Sequence, residues 1–272
     1  MHTTLMTGGN SGIGLQAARD LLAHGHRVIL LGRDQRKGGQ ALASLGDAAE
    51  RASFISADLS THEGVRQAAK QILGEHDRLD ALLHSTGVFT SKEMRTADGL
   101  HPFFAVNYLS RYHLTELLLP ALRAAERPRV VMMTASVPPS ADANLDRFPG
   151  FEPFDFARDR KPIQLGNHHY AAHLAQTEPG LLAGVINAGA AKTDILRMTP
   201  WYFRAMAKVT GPLFFNSLQE SARNPVQAIL NDDWPTATYW GKPADFDRRT
   251  PITLTESTTQ RIMSISQSLA GA

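Results

Sequence analysis

The chain has 272 residues, a net charge of +2 and no cysteine. Without cysteine, the chain has no disulfide, thiol nucleophile or cysteine metal ligand. Because so small a charge excess does not form a basic stripe, nucleic acid is not an expected partner. Apolar residues make up 43% of the chain and charged residues 20%. This balance is ordinary for a globular protein, so we expect residues 1–272 to form a single α/β domain.

The chain shows no run of eighteen apolar residues, and residues 1–20 have the pattern of a strand, a turn and a helix rather than a signal peptide. We therefore expect no membrane segment and a cytoplasmic location.

A glycine-rich turn follows the short apolar run Leu5-Met6 and precedes a helical pattern over Gly12–Ala23. Gly8 would tighten the turn, Gly12 would let the backbone approach a pyrophosphate, and Gly14 would let the helix pack close to its strand. The helix N-terminus would then face the phosphates. The residues expected at the cofactor here are Gly8, Asn10, Ser11, Gly12, Ile13 and Gly14.

Strand and helix patterns alternate through the first two thirds of the chain. Further strands are predicted at Val28–Leu31, Phe54–Ser56, Ala81–Leu83, Arg129–Thr134 and Leu181–Asn187. Helices are predicted at Gln35–Leu45, Thr61–Leu73, Leu100–Ala125 and Ile163–Gln176. Short, continuous apolar strands of this kind are typical of a parallel sheet covered on both faces. The pattern predicts a Rossmann-type, doubly wound parallel sheet with a ligand crevice outside the carboxyl ends of its strands.

The densest basic patch, Arg33 to Lys37, follows the second predicted strand. An acid at that strand end would bind the ribose hydroxyl of NAD, whereas Arg33 suits the 2′-phosphate of NADP. We therefore expect NADP(H) as the cofactor, with Lys37 as the second cation.

The spacing Thr-Gly-x-x-x-Gly-x-Gly in the first turn resembles that of the short-chain dehydrogenase/reductase (SDR) family. The later landmarks of the family follow in order, and the closing residues Tyr239 to Lys242 and the helix Ile262–Leu269 are similar to the retinol-dehydrogenase-like branch. For the cofactor, the resemblance implies an adenine contact at Asp58-Leu59, a binding segment at Ser85-Thr86-Gly87, and a nicotinamide contact at Ala188-Gly189 and Thr193. It also implies a structural asparagine at Asn107, followed by Leu114, and a catalytic serine at Ser136.

The chain departs from the family at its proton donor, a Tyr with a Lys four residues later. Matching Leu165-Gly166-Asn167 to the branch's Leu-Ala-Asn puts Arg160 at the Tyr position and Gln164 at the Lys position. Arg160 cannot act as an acid near neutral pH, while Gln164 can still hydrogen-bond ribose hydroxyls. Tyr170 is the nearest tyrosine. We expect cofactor binding to survive and general acid catalysis to be missing from its usual place.

Three classes of function remain open. One is a reductase whose proton comes from water, from Tyr170, from a histidine or from a substrate hydroxyl. Such an enzyme resembles the atypical SDR ketoreductases of aromatic polyketide antibiotic pathways, including angucyclinone ketoreductases. The others are a non-redox cyclase or dehydratase that keeps NADP as a scaffold, and a silent NADP sensor. We expect the reductase, with Ser136, Asn107 and Tyr170 as its candidate catalytic residues.

Two segments rich in proline and aromatic residues, 138–160 and 196–225, are expected to flank the substrate, the second as a lid. The first segment equally fits an ordered loop that caps the sheet. Together they indicate a large, flat, apolar small-molecule substrate.

Histidines are the remaining candidates. His169 and His173 are four residues apart on a predicted helix, but the sequence provides no third ligand and we expect no metal. His84 is expected to be a packed core residue. His113 lies on the long helix where the family forms its interface, so the resemblance also implies a possible homo-oligomer.

Overall fold

The structure, a computed structural model, describes residues 1–90, 92–189 and 216–271. Eight strands of this part of the chain form one sheet in the order β3-β2-β1-β4-β5-β6-β7-β8. All neighbours are parallel except β7 and β8. The strands are β1 (Thr3–Thr7), β2 (Arg27–Gly32), β3 (Ala52–Ser56), β4 (Ala81–His84), β5 (Arg129–Thr134), β6 (Leu182–Asn187), β7 (Thr238–Trp240) and β8 (Thr250–Pro251). The order 3-2-1-4-5-6 is that of the Rossmann fold, which confirms the predicted fold class.

Helices cover both faces of this sheet. They are α1 (Gly12–Ala23), α2 (Gln35–Ala43), α3 (His62–Glu75), α4 (Pro102–Phe104), α5 (Ser110–Arg123), α6 (Phe156–Thr177), α7 (Leu218–Leu230) and α8 (Glu256–Ala270). Successive strand residues point to opposite faces, so Leu5 belongs to the core beneath α3, α5, α6 and α8, whereas Met6 belongs to the core beneath α1, α2 and α7. No helix in the described ranges is long and apolar enough to span a membrane.

Two helices differ from their predicted limits. The helix predicted over Leu100–Ala125 is divided into α4, a π-helical turn at Ala105–Leu109, and α5. The helix predicted to begin at Ile163 begins at Phe156, because the Asp155 carboxylate accepts a hydrogen bond from the Arg158 amide and caps it. The first seven residues of α6 therefore bring part of the predicted 138–160 loop onto a rigid element.

Parts of the predicted lid and Thr193 lie outside the described residues. Within 196–225, the structure describes only residues 216–225. Helix α7 begins there at Leu218, and a capping box between Ser217 and Glu220 stabilises its N-terminus.

Candidate active site

A cavity of about 610 Å³ opens at the carboxyl ends of the parallel strands, where the fold places ligands. It extends from the glycine turn after β1, past the ends of β2 and β3, to the segments after β4 and β5 and one face of α6. A cavity of this size is in the range that holds a cofactor or drug-sized molecule.

Two positions of the glycine turn, Gly8 and Gly14, have no room for a side chain. Gly8 has a φ of +70°, and a Cβ there would lie 2.9 Å from the Thr86 amide nitrogen. A Cβ at Gly14 would collide with the Gly8 carbonyl oxygen. The turn therefore passes close to the β4 segment and leaves the start of α1 open toward the cavity, as a pyrophosphate requires.

The end of β2 forms the adenosine side of the cavity, with Arg33, Asp34 and Lys37 in its wall. The Asp34 carboxylate accepts a hydrogen bond of 3.0 Å from the Lys37 amide and caps α2. This hydrogen bond lowers the pKa of Asp34. Asp34 is therefore already engaged by the helix, whereas the exposed Arg33 side chain extends beside it.

Asn107 lies in the π-helical turn and fixes the segment after β4. Its Oδ1 accepts a hydrogen bond from the Val88 amide and its Nδ2 donates to the Val88 carbonyl, both at 2.9 Å. Its own carbonyl accepts a 3.1 Å hydrogen bond from Asn167 on α6. The predicted structural role of Asn107 agrees with these contacts, which join the floor of the cavity to two helices.

Arg111, one turn after Asn107, is a cavity residue that the sequence analysis missed. Its side chain is buried and donates to the Asn167 Oδ1 at 3.1 Å and to the Thr86 carbonyl at 3.0 Å, while its Nε has no partner. Burial lowers the pKa of Arg111 to about 9, so it remains charged at neutral pH. The four-residue spacing from Asn107 is the signal that could have identified it.

One face of α6 lines the inner end of the cavity. Arg160 and Gln164, which replace the family's Tyr and Lys, are one helical turn apart and both lie in the cavity wall. The Gln164 Oε1 is buried and has no hydrogen-bond partner. Arg160 is half-buried, and no hydrogen bond or ion pair joins it to another residue in the described ranges. Both side chains are thus available to a bound molecule.

The structure does not bring Ser136 or Tyr170 into the cavity. Thr134 and Ala135 lie in its wall, but Ser136 is exposed one residue beyond them. Tyr170 is fully buried between helices and donates a 2.7 Å hydrogen bond to Glu116. Its burial and the Glu116 carboxylate raise its pKa far above the usual value. Neither hydroxyl lines the described part of the cavity, and the catalytic roles of Ser136 and Tyr170 stay predictions.

Aromatic side chains form part of the cavity wall. Phe89, Phe103 and Phe156 line the cavity, and the Phe156 ring lies 4.5 Å from that of Phe89 and 5.5 Å from that of Phe103. Phe148 and Phe151, from the same proline-rich segment as Phe156, are instead buried in the core. One part of the segment 138–160 thus packs on the core and its end forms cavity wall, while its contact with a substrate stays a prediction.

The histidines singled out in the sequence lie in packed positions. His84 is fully buried and its Nε2 lies 2.9 Å from the Thr115 hydroxyl, which confirms the prediction of a core residue. The His169 Nδ1 lies 2.8 Å from the Thr259 hydroxyl. In residues 1–90, 92–189 and 216–271, no group of three or more side chains is placed to bind a metal.

The sequence model of the short chain dehydrogenase family matches residues 2–140. The chain belongs to this family. Human retinol dehydrogenase 14 is 26% identical over 294 residues, which cover 100% of this chain and 87% of its own. A short-chain dehydrogenase/reductase of Armillaria gallica is 31% identical over 208 residues, covering 71% of this chain and 66% of its own. The Pseudomonas aeruginosa RhlG/NADP active-site complex superposes with a TM-score of 0.64 at 25% identity, covering 84% of this chain and 88% of its own.

These relatives make the protein a retinol-dehydrogenase-like SDR oxidoreductase, and its cavity fits the nicotinamide cofactor of that family. The glycine turn leaves a cradle that a Cβ would fill, and the buried Thr86 Oγ1 and Gln164 Oε1 have no hydrogen-bond partner. With the exception of Thr193, all residues predicted to bind the cofactor lie in the cavity wall: Gly8, Asn10, Ser11, Gly12, Ile13, Gly14, Arg33, Lys37, Asp58, Leu59, Ser85, Thr86, Gly87, Gln164 and Gly189.

Proposed function

We propose that the protein is an NADPH-dependent reductase of a bulky aromatic ketone, in which a substrate hydroxyl or an ordered water supplies the proton. The observation that carries the proposal is the composition of the inner cavity wall. Between Val88 and Gln164 it presents phenylalanines, amides and guanidinium groups, and no described side chain there is a carboxylic acid, histidine, phenol or ammonium. The described part of this wall can bind and orient a ketone and offers none of these general acids.

Three features favour NADP. Arg33 lies in the cavity wall at the end of β2, where a 2′-phosphate would approach, and Asp34 is engaged by the Lys37 amide. This hydrogen bond occupies the Oδ1 of Asp34 and leaves only its Oδ2 for a ribose hydroxyl. In addition, the similar RhlG of Pseudomonas aeruginosa forms an active-site complex with NADP.

The division of chemical roles follows from the residues. When bound, the cofactor supplies the hydride, which needs close positioning more than an acid. Gln164 would orient the cofactor through its unpartnered Oε1, and the Asn107–Val88 hydrogen bonds hold the facing wall. Arg160 contributes a guanidinium group, which can bind an anionic group of the substrate and does not serve as a general acid.

The apolar wall supports the substrate class. Phe89, Phe103 and Phe156 give the inner cavity rings on which a flat molecule can stack. The relatives named for retinol and polyprenol are consistent with a large apolar molecule in this branch of the family. Roles in polyketide or antibiotic biosynthesis remain part of the proposal, as does the contribution of residues 196–225 to a lid.

The experiment compares 1-acetyl-2-naphthol with 1-acetyl-2-methoxynaphthalene, with NADPH oxidation as the readout. A phenol beside the ketone has a suitable pKa and is held at the carbonyl by its own ring. We expect the methyl ether to bind comparably and to turn over at least about a hundredfold more slowly, the lower range of general acid catalysis. Equal turnover would contradict substrate assistance and make ordered water the donor.

Tyr170→Phe provides the matched control, because it removes the tyrosine hydroxyl that the sequence offers as a proton donor and because Tyr170 is not part of the described cavity wall. We expect less than about a tenfold loss of turnover. A thousandfold loss in a folded variant would assign proton donation to Tyr170 instead.

The second candidate is a protein that keeps NADP without redox chemistry, which the same lack of an acid favours. Product formed without NADPH oxidation would support it, and stoichiometric oxidation of NADPH by a ketone would exclude it.

A further inference from the structure

The two ends of the cavity differ in charge. The adenosine end has both signs, with Arg33 and Lys37 beside the carboxylates of Asp34 and Asp58. The inner end has two guanidinium groups, Arg111 and Arg160, and no carboxylate among its described wall residues.

The carboxylates at the adenosine end are too far away to neutralise the inner end. Asp34 and Asp58 follow β2 and β3, whereas Arg111 donates to Thr86 after β4. β2 and β4 are separated by two strand spacings, or about 10 Å, and β3 and β4 by three, or about 14 Å. Both separations exceed the roughly 4 Å of an ion pair, so these carboxylates do not directly neutralise the guanidinium groups of the inner end.

The carboxylate next to Arg160 in the sequence is also committed elsewhere. Asp159 is fully buried and forms ion pairs with Arg147 at 3.0 Å and Arg158 at 2.8 Å. It further accepts a hydrogen bond from the Asp155 amide at 2.8 Å. The charge of Asp159 is therefore already matched by Arg147 and Arg158, and no ion pair joins Asp159 to Arg160 in the described ranges.

Arg160 lies between the aromatic and the polar part of the wall. Phe156 precedes it by one helical turn and Gln164 follows it by one turn, and all three line the cavity. A flat molecule stacked on the phenylalanines would thus place a substituent beside the guanidinium. The planar donor fork of arginine matches a carboxylate with two parallel hydrogen bonds.

We infer that the substrate is an aromatic carboxylic acid whose carboxylate binds Arg160, with the buried charge of Arg111 adding to the attraction. The inference rests on the proposed function in one respect, that the phenylalanine wall faces the substrate. This inference explains why Arg111 and Arg160 line the aromatic inner end of the cavity without carboxylate partners in the described part of the chain.

The test measures binding rather than turnover. The probes are 6-acetyl-2-naphthoic acid and its methyl ester, titrated against the protein in saturating NADP⁺ by isothermal calorimetry. They share the ring and the ketone and differ in charge. We expect the acid to bind at least about tenfold more tightly than the ester, because a charge-assisted pair is made in a partly buried site. The preference should shrink in 1 M KCl, since salt screens charge.

Arg160→Gln should reduce the preference for the acid to less than about threefold. Lys161→Gln is the matched control, because it removes the same charge from the next residue, which is not part of the described wall. It should leave the preference intact. The inference is overturned if the wild type binds acid and ester equally, prefers the ester or binds neither, and also if Arg160→Gln keeps the full preference.

The outcome is separate from that of the proposed function. An acid preference that depends on Arg160, without NADPH oxidation by either ketone, supports the carboxylate site and contradicts the reductase. Oxidation of NADPH by both ketones with equal affinity supports the reductase and contradicts the carboxylate site.

Discussion

Arg33→Asp is the change that tests cofactor choice most directly. Arg33 is exposed at the cavity edge, so its contact with a 2′-phosphate would be a charge-assisted hydrogen bond weakened by solvent, about 1.5 to 3 kcal/mol. Replacing it with a carboxylate adds repulsion of about 1 kcal/mol in water. The sum of about 2.5 to 4 kcal/mol predicts that NADPH binds roughly 60- to 700-fold more weakly.

NADH lacks the 2′-phosphate, so its affinity for Arg33→Asp should stay within about threefold of the wild-type value. Fluorescence titration of both cofactors provides the measurement. Arg36→Asp is the control, because this exposed residue carries the same charge change but is not in the described cavity wall. Equal wild-type affinity for the two cofactors, or equal losses in the two variants, would refute the assignment of Arg33 to the phosphate.

Two further predictions concern the turn and the core. Gly8→Ala adds a Cβ 2.9 Å from the Thr86 amide nitrogen at a φ of +70°. We expect it to destabilise the fold by about 1–2 kcal/mol and to weaken NADPH binding. Gly39 has open space around it, so Gly39→Ala should do neither. Thermal unfolding and cofactor titration check both, and unimpaired binding by Gly8→Ala would contradict the geometry of the turn. Burial lowers the pKa of His168 to about 4, so the unfolded chain binds a proton that the folded chain refuses between about pH 6.5 and pH 4. Through this residue, the free energy of unfolding should fall by about 1.4 kcal/mol per pH unit as the pH decreases through that window. Denaturant titrations of His168→Gln at several pH values should lack this part of the slope. An unchanged slope would show that His168 does not stay neutral in the folded protein.

The cofactor half of the site could be predicted from the sequence because local backbone geometry determines it. The turn from Gly8 to Gly14 and the residues that end β2, β3 and β4 are placed by the order of parallel strands, and the cavity wall contains them. Periodicity also predicted α1 with its limits, Gly12–Ala23.

The substrate half was harder because it depends on side-chain direction and on contacts between distant segments. Ser136 falls in the expected segment, yet Thr134 and Ala135 are the residues that face the cavity. Arg111 joins Thr86 and Asn167, which are 25 and 56 residues away, so its four-residue spacing from Asn107 indicates its helix face but not these contacts.

The edge of the sheet at β8 has a consequence for self-association. β8 has only two residues, both exposed, and the second is Pro251, which has no amide hydrogen to donate. An edge so short and so poor in donors is a bad template for a strand from another molecule. In the described part of the sheet, association through strand pairing would therefore begin at β3, the opposite edge. A substitution that exposes more of the β3 backbone should increase the turbidity of the protein solution before a comparable substitution at β8 does.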